Sequence, residues 1–308
     1  MIYTVTLSPA RDRGISVKGF APGKLNRASS VRDDPGGKGI NVSKVIRELG
    51  GKSTALCVLG GETGRYIERA LTEMGIDTAC VYTPFETRTN IKIFDTLSGE
   101  TTDVNESAHV DAGAAQDLFN RLLSRVQGGD VCVFAGRIDT NAADLASWIR
   151  ELNAKGAKVF LDTEGEALKV GTAASPFLIK PNEYELEVIS GGTEKDNASL
   201  ARTALQISHS HGINTVFISI GERGAIAARN GQAYELSAPV INAVCTTGAG
   251  DAVTAALAYA EQEQMAFQDA CALSMACGAA SVMMPGTQCP SKKLISSLIG
   301  DVIIRRLL

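Results

Sequence analysis

The chain has 308 residues, of which 44% are hydrophobic and 21% charged, a composition that excludes a disordered polar chain and supplies a sizeable core. A formal net charge of −4 excludes the global positive field that draws proteins to nucleic acid or anionic membranes, so neither is expected as a partner and any anionic ligand must be held by local groups. The N-terminus lacks a basic region followed by a long apolar stretch, and no run reaches the roughly 18 apolar residues of a membrane span, so a cytoplasmic protein is expected.

Apolar and β-branched runs predict strands at 2–7, 54–59, 131–134, 158–161, 177–179 and 215–219. Helical apolar spacing predicts helices at 40–49, 114–126, 142–152 and 197–210. Strands alternating with helices imply an α/β fold with a doubly wound, mostly parallel sheet flanked by helices. Two stretches break the rhythm, at about 12–32 and 88–105, where TNIKIFD and ETTDVN alternate like strands around a Ser-Gly turn. They are expected to form a small separate sheet. From Gly248 onward Ala, Met and Leu recur at helical spacing, which predicts helices packed on the main sheet. With no repeat, low-complexity tract or linker, residues 1–308 read as one domain. Seven cysteines, Cys57, Cys80, Cys132, Cys245, Cys271, Cys277 and Cys289, show no zinc or disulfide spacing and are expected as thiols in a reducing compartment.

Four segments carry chemistry. Thr246 to Asp251, TTGAGD, runs directly into the apolar helix AVTAALAYA. Gly248, Ala249 and Gly250 let backbone N–H groups converge on an anion at a helix start, where the dipole adds partial positive charge. Asp251 in the first turn is placed to take a proton from a bound hydroxyl, although a capping Asp in a glycine turn would look the same. Pro35 to Asn41, PGGKGIN, opens another helix; Gly37 allows close backbone approach, and Lys38 and Asn41 supply donors. Its spacing is not that of a Walker A loop, and a simple strand-to-helix turn would also use these glycines.

In IKPNEYELE, Asn182 and Glu185 lie three apart on one helix face and are candidates to orient magnesium through water, with Lys180 reaching toward phosphates. A Pro-initiated helix with Glu in its first turn is the plainer account. In SIGERG, Ser219, Gly221 and Gly224 suit a tight turn beside a nucleotide and equally suit an ordinary hairpin. Asp12 and Arg88 fall in the two interrupting stretches, where a carboxylate can hold sugar hydroxyls and a guanidinium can clamp phosphate; either reads equally as a solvated surface charge.

The order of these motifs, GGKGIN near 40, KPNxxE near 180, SxGxxG near 220 and GAGD near 250, resembles the ribokinase-like PfkB carbohydrate kinases along essentially the whole chain. The opening TLSPARD, with ETRTNIKI, VNE, DTEGEAL and PGTQ, is similar to the branch of that family acting on ketohexose phosphates. The resemblance implies ATP and Mg2+ as cofactors and transfer of the γ-phosphoryl group to a sugar phosphate. Fructose 1-phosphate is the expected acceptor, with tagatose 6-phosphate or fructose 6-phosphate as alternatives. It further implies Asp251 as base and residues 248–250 as the anion hole. Asp12, Gly37, Lys38, Asn41 and Arg88 match sugar-phosphate positions, Lys180, Ser219, Gly221 and Gly224 match ATP positions, and Asn182 and Glu185 match the magnesium motif. The interrupting strands match the family's lid, commonly the contact of a homodimer.

Three departures from the branch stand out: Ser8 where Asn is usual, Arg137 in AGRI, and Glu164 in DTEG. Arg137 and Glu164 both follow strand ends and can face each other as an ion pair at the sugar site; if they do not, Arg137 can bind the phosphate of a different sugar. A dinucleotide-binding dehydrogenase fails because Leu7 is followed by SPARDRG rather than by a glycine fingerprint. A catalytically silent sugar-phosphate sensor remains the alternative of another class, and the intact GAGD and NxxE segments argue against it.

Overall fold

Val131–Ala135 is buried at all five positions, as a strand covered on both faces must be. Val131, Val133 and Ala135 point into one core and Cys132 and Phe134 into another; this period-two division along one short strand creates the layers of the molecule. The computed structural model describes residues 1–107, 109–138, 142–192 and 196–308.

The chain begins β1 (Ile2–Thr6), β2 (Ala10–Val17), β3 (Ala28–Gly36), α1 (Lys38–Leu49), β4 (Ser53–Leu59), α2 (Gly61–Glu73), β5 (Asp77–Thr78) and β6 (Val81–Tyr82). It continues through β7 (Thr89–Asp95), β8 (Thr101–Asn105), α3 (Ala112–Leu123), β9 (Val131–Ala135), α4 (Ala142–Ala154), β10 (Lys158–Asp162), α5 (Gly165–Thr172) and β11 (Leu178–Ile179). The remainder is α6 (Glu183–Ser190), α7 (Asn197–His211), β12 (Thr215–Ser219), β13 (Ala225–Arg229), β14 (Gln232–Leu236), α8 (Ala249–Gln262), α9 (Phe267–Val282), α10 (Lys292–Leu298) and β15 (Ile304–Arg306).

The main sheet has the order β15-β14-β13-β12-β11-β10-β9-β1-β4-β5, with β6 also on β4. It is parallel from β12 to β5 and antiparallel from β12 to β15. Helices α3, α4, α5 and α7 contribute apolar side chains to one core, and α1, α8, α9 and α10 to the other. The doubly wound α/β expectation therefore holds. The C-terminal stretch departs from its helical expectation at the end: Ile304–Arg306 pairs antiparallel with β14, because that edge strand still offers unpaired backbone groups.

Helices α8 and α9 pack closely because their facing residues are small. A side chain added at Gly278 of α9 would meet Val253 of α8 at 2.9 Å. All seven cysteines are free thiols, five of them buried. No helix among the described residues is long and apolar enough to cross a membrane.

The two interrupting stretches form a separate four-stranded sheet, ordered β3-β2-β7-β8. Arg13 donates to both carboxylate oxygens of Asp33 at 2.7 Å, and the Tyr66 hydroxyl of α2 donates to the Asp33 carbonyl at 2.7 Å, tying this sheet to the body. Leu25, Val31, Phe94, Leu97 and Val104 of this region are exposed.

Candidate active site

The carboxyl ends of β1, β9, β10, β11 and β12 lie at one rim of the main sheet. Chain order reverses there, since β1 is followed by β4 on one side and flanked by β9 on the other. Open α/β sheets bind ligands at such a switch point. A cavity of about 460 Å³ opens at this rim, walled on one side by the small sheet.

The PGGKGIN segment explains how α1 reaches the rim. Gly37 has φ 123°, a conformation side chains disfavour, and an added Cβ there would lie 2.7 Å from Thr6 Cγ2. At Gly39 an added Cβ would lie 2.7 Å from the Val5 carbonyl oxygen. Only glycines let the helix begin against the end of β1, which carries Lys38 and Asn41 into the cavity. Helix α8 packs beside α1 on the same face of the sheet and also starts at the cavity, with Gly248 as N-cap at φ 88° and, among the described residues, no side chain capping it. Of its first N–H groups that of Ala249 donates to the Thr246 carbonyl at 3.4 Å, and that of Gly250 is left for an anion.

At the centre Asp251 is 6% exposed, and Asn41 Nδ2 donates to its Oδ2 at 2.8 Å. Burial, reinforced by the charge of nearby Asp162, pushes its carboxyl up to about 6, against the Asn41 hydrogen bond and the charges of Lys38 and Lys180. A carboxylate so placed is a base tuned toward neutral pH.

Asp162, at the end of β10, is the electrostatic hub. Lys180 Nζ lies 3.3 Å and Lys38 Nζ 3.7 Å from its carboxylate, and Thr254 Oγ1 donates to it at 2.7 Å. Burial opposes its ionisation, yet Lys180, Lys38 and the Thr254 bond hold it below the ordinary carboxylate range. Burial likewise opposes the charge on Lys38, and Asp162, Asp251, Glu185 and Glu164 more than compensate, leaving its pKa raised.

Asn182 and Glu185 form a reciprocal capping box at the start of α6: Asn182 Oδ1 accepts from the Glu185 N–H and Glu185 Oε2 from the Asn182 N–H, both at 2.9 Å. The plain helix-start account is thus part of the truth. Both residues also line the cavity, and burial raises the Glu185 pKa against the Asn182 hydrogen bond and the two lysines. Glu185 Oε1 takes no part in the cap and is left to accept from a bound water. Among the described residues no three His, Cys, Asp or Glu side chains cluster to cage a metal, so the donor set fits magnesium held chiefly by phosphates and water.

The cavity brings together Asp12, Gly37, Lys38, Asn41, Arg88, Arg137, Glu164, Lys180, Asn182, Glu185, Ser219, Gly248, Gly250 and Asp251. Ala249, Gly221 and Gly224 do not line it. Ala249 begins α8, Gly221 starts a short 3-10 turn, and Gly224 closes that turn at φ 104° against the Leu236 carbonyl. Sequence reasoning missed Asp162, Thr254, Asn90 and Lys92. Asp162 carries a sequence signal, an acid ending the buried strand KVFLD two positions before Glu164. Among the described residues three buried polar atoms at this rim, Thr6 Oγ1, Ser8 Oγ and Asn41 Oδ1, have no hydrogen-bond partner, which buried groups rarely tolerate unless a ligand supplies one.

Residues 6–294 match the pfkB family carbohydrate kinase model. A 1-phosphofructokinase of Borreliella burgdorferi is 34% identical over 285 residues, 92% of each chain. A 1-phosphofructokinase of Bacillus subtilis is 32% identical over the full length of both. Phosphofructokinase-2 of Escherichia coli, solved with substrates and products, superposes with a TM-score of 0.91 at 26% identity, covering 97% of this chain and 98% of that one. Another structure of that enzyme is described as a tetrameric inhibited form. The chain belongs to the pfkB family of carbohydrate kinases.

Proposed function

We propose that this kinase is a 1-phosphofructokinase, transferring the γ-phosphoryl group of ATP to the free primary hydroxyl of fructose 1-phosphate to give fructose 1,6-bisphosphate and ADP. The observation that carries the reading is Asp251, buried at the bare N-terminus of α8 and held by Asn41 in a cavity lined by lysines and arginines. Asp251 takes the hydroxyl proton as the oxygen attacks phosphorus. The N–H groups at the start of α8, at Gly248 and Gly250, meet the charge on the transferring group, and Lys180 and Lys38 balance it from the Asp162 side. Magnesium, when bound beside Asn182 and Glu185, neutralises phosphate charge. Asp12, Asn41 and the bare Thr6 and Ser8 hydroxyls suit sugar hydroxyls, while Arg88 and Arg137 suit the phosphate already on the sugar. Ser219, with the turn at Gly221 and Gly224, suits the nucleotide.

In this reading residues 1–308 act as one kinase domain, the small sheet is a lid that excludes water, and its exposed Leu25, Val31, Phe94, Leu97 and Val104 form a homodimer contact. Seven free thiols fit a cytoplasmic location. Fructose 6-phosphate is the second acceptor to consider, given the close superposition on phosphofructokinase-2; tagatose 6-phosphate is a third. ADP release with MgATP across the three sugar phosphates and free fructose tests the reading. Preferential use of fructose 1-phosphate is expected. Preference for another phosphate reassigns the acceptor, and silence with every sugar, with binding retained, makes the protein a sensor. Light scattering on the intact protein tests the dimer.

A further inference from the structure

Lys92 is a cation with a place in the cavity and, among the described residues, no side-chain partner. It sits midway along β7 on the cavity side of the small sheet, and among the described residues it makes neither a hydrogen bond nor an ion pair. Asp103, opposite it in the β7–β8 register, is exposed.

Strand alternation puts residues 88, 90 and 92 on one side, and Arg88, Asn90 and Lys92 all line the cavity. At the inner end Arg88 donates to the Ser8 carbonyl at 3.4 Å. In the middle Asn90 Nδ2 donates to Asp12 Oδ1 at 3.0 Å. The edge therefore reads cation, polar pair, cation, with the two cations about 13 Å apart at Cα and both side chains able to bend inward. A six-carbon sugar with a phosphate at each end presents the matching order of phosphate, hydroxyls, phosphate.

The outer cation also faces the loop that enters the anion hole. Burial works to raise the Cys245 thiol, hydrogen bonds from Thr247 and Gly286 lower it, and Lys92 is near enough for its charge to add to the lowering. Thr247 and Gly248, the next residues of that loop to reach the cavity, line it together with Lys92.

We propose that Lys92 is a catalytic residue that meets the phosphoryl group in transit while Arg88 meets the phosphate already on the sugar, so that this strand is a template for the bisphosphate product rather than for the substrate. The inference rests on the reading of the protein as a ketohexose-phosphate kinase. A cation engaged only by the transferring group raises kcat without tightening the acceptor. It also gives the product an affinity that the substrate lacks.

The test is calorimetric binding of fructose 1-phosphate and fructose 1,6-bisphosphate, with kcat and KM, for wild type, Lys92→Met, Lys92→Gln and Lys92→Arg. Both neutral variants are expected to lose about tenfold or more in bisphosphate affinity while monophosphate affinity stays within about threefold. Their kcat is expected to fall about 100-fold, with Lys92→Arg recovering most of it. Equal weakening of both ligands would move Lys92 to the existing phosphate, and indifference of both ligands and kcat would make it a solvated charge; either overturns the inference. A wild type that turns over the sugar phosphate alongside an indifferent Lys92→Met sinks this inference alone, whereas a wild type that binds no ketohexose phosphate sinks the parent reading too.

Discussion

Replacing Asp251 by Asn should abolish turnover and at the same time stabilise the ligand-free protein at alkaline pH. The carboxyl stands at about 6 in the fold against 3.8 for the unperturbed group. At 1.36 kcal/mol per unit, ionising it in place costs about 3 kcal/mol at neutral pH. The folded state holds this proton more tightly than the unfolded chain. Its contribution to stability is therefore fully present below pH 3.8 and lost as pH rises through 6. Asparagine keeps an oxygen to accept from Asn41 Nδ2 but carries no charge. With an unfolding entropy scaled to 308 residues, the gain at pH 8 is about 4–5 °C in Tm, shrinking to about 1 °C at pH 4. Scanning calorimetry of both proteins at the two pH values measures this, and single-turnover assays measure the loss of rate. Equal melting temperatures at pH 8, or a gain independent of pH, would refute the claim that this base is held in an unfavourable charged state. In the wild type the same titration predicts that kcat/KM falls as pH drops below about 6.

Asp162→Asn should destabilise the protein by about 3–5 kcal/mol in urea melts, because it leaves Lys180 buried without its counter-charge. It should also move the acid limb of kcat/KM to lower pH, since Asp162 helps hold the Asp251 pKa up; a limb that stays in place would disconnect the two carboxylates. Glu185→Gln keeps the capping box, which accepts either residue, so the melting temperature should hold while the magnesium needed for half-maximal rate rises about tenfold. An unchanged magnesium curve would reduce the pair to helix capping. Gly224→Ala, at φ 104° against the Leu236 carbonyl, should cost about 3 kcal/mol or more in urea, with any loss of activity following the loss of folded protein.

Much of the architecture could be read from the chain because its signals are local. Buried strands such as Val131–Ala135 are continuous apolar runs, helices such as α7 carry the 3.6-residue period, and the interrupting stretches alternate with period two. The glycine motifs marked the helix starts at Gly37 and Gly248 for a similarly local reason: each sits where the backbone must take a conformation or an approach that a side chain forbids. What no local pattern carries is distance between remote residues. Asn41 and Asp251 are 210 positions apart and meet at 2.8 Å, and Asp162 gathers Lys38, Lys180 and Thr254 from three separate segments. Lys92 looks in the sequence like any solvated lysine of an exposed strand until the small sheet folds over the rim. Residue types and their spacing thus determined the family of chemistry and the elements that bear it. Burial and charge, which set the Asp251 pKa and draw Lys38 and Lys180 but not Lys92 to Asp162, depend on the sum of fields from distant segments, and only the tertiary structure brings those together.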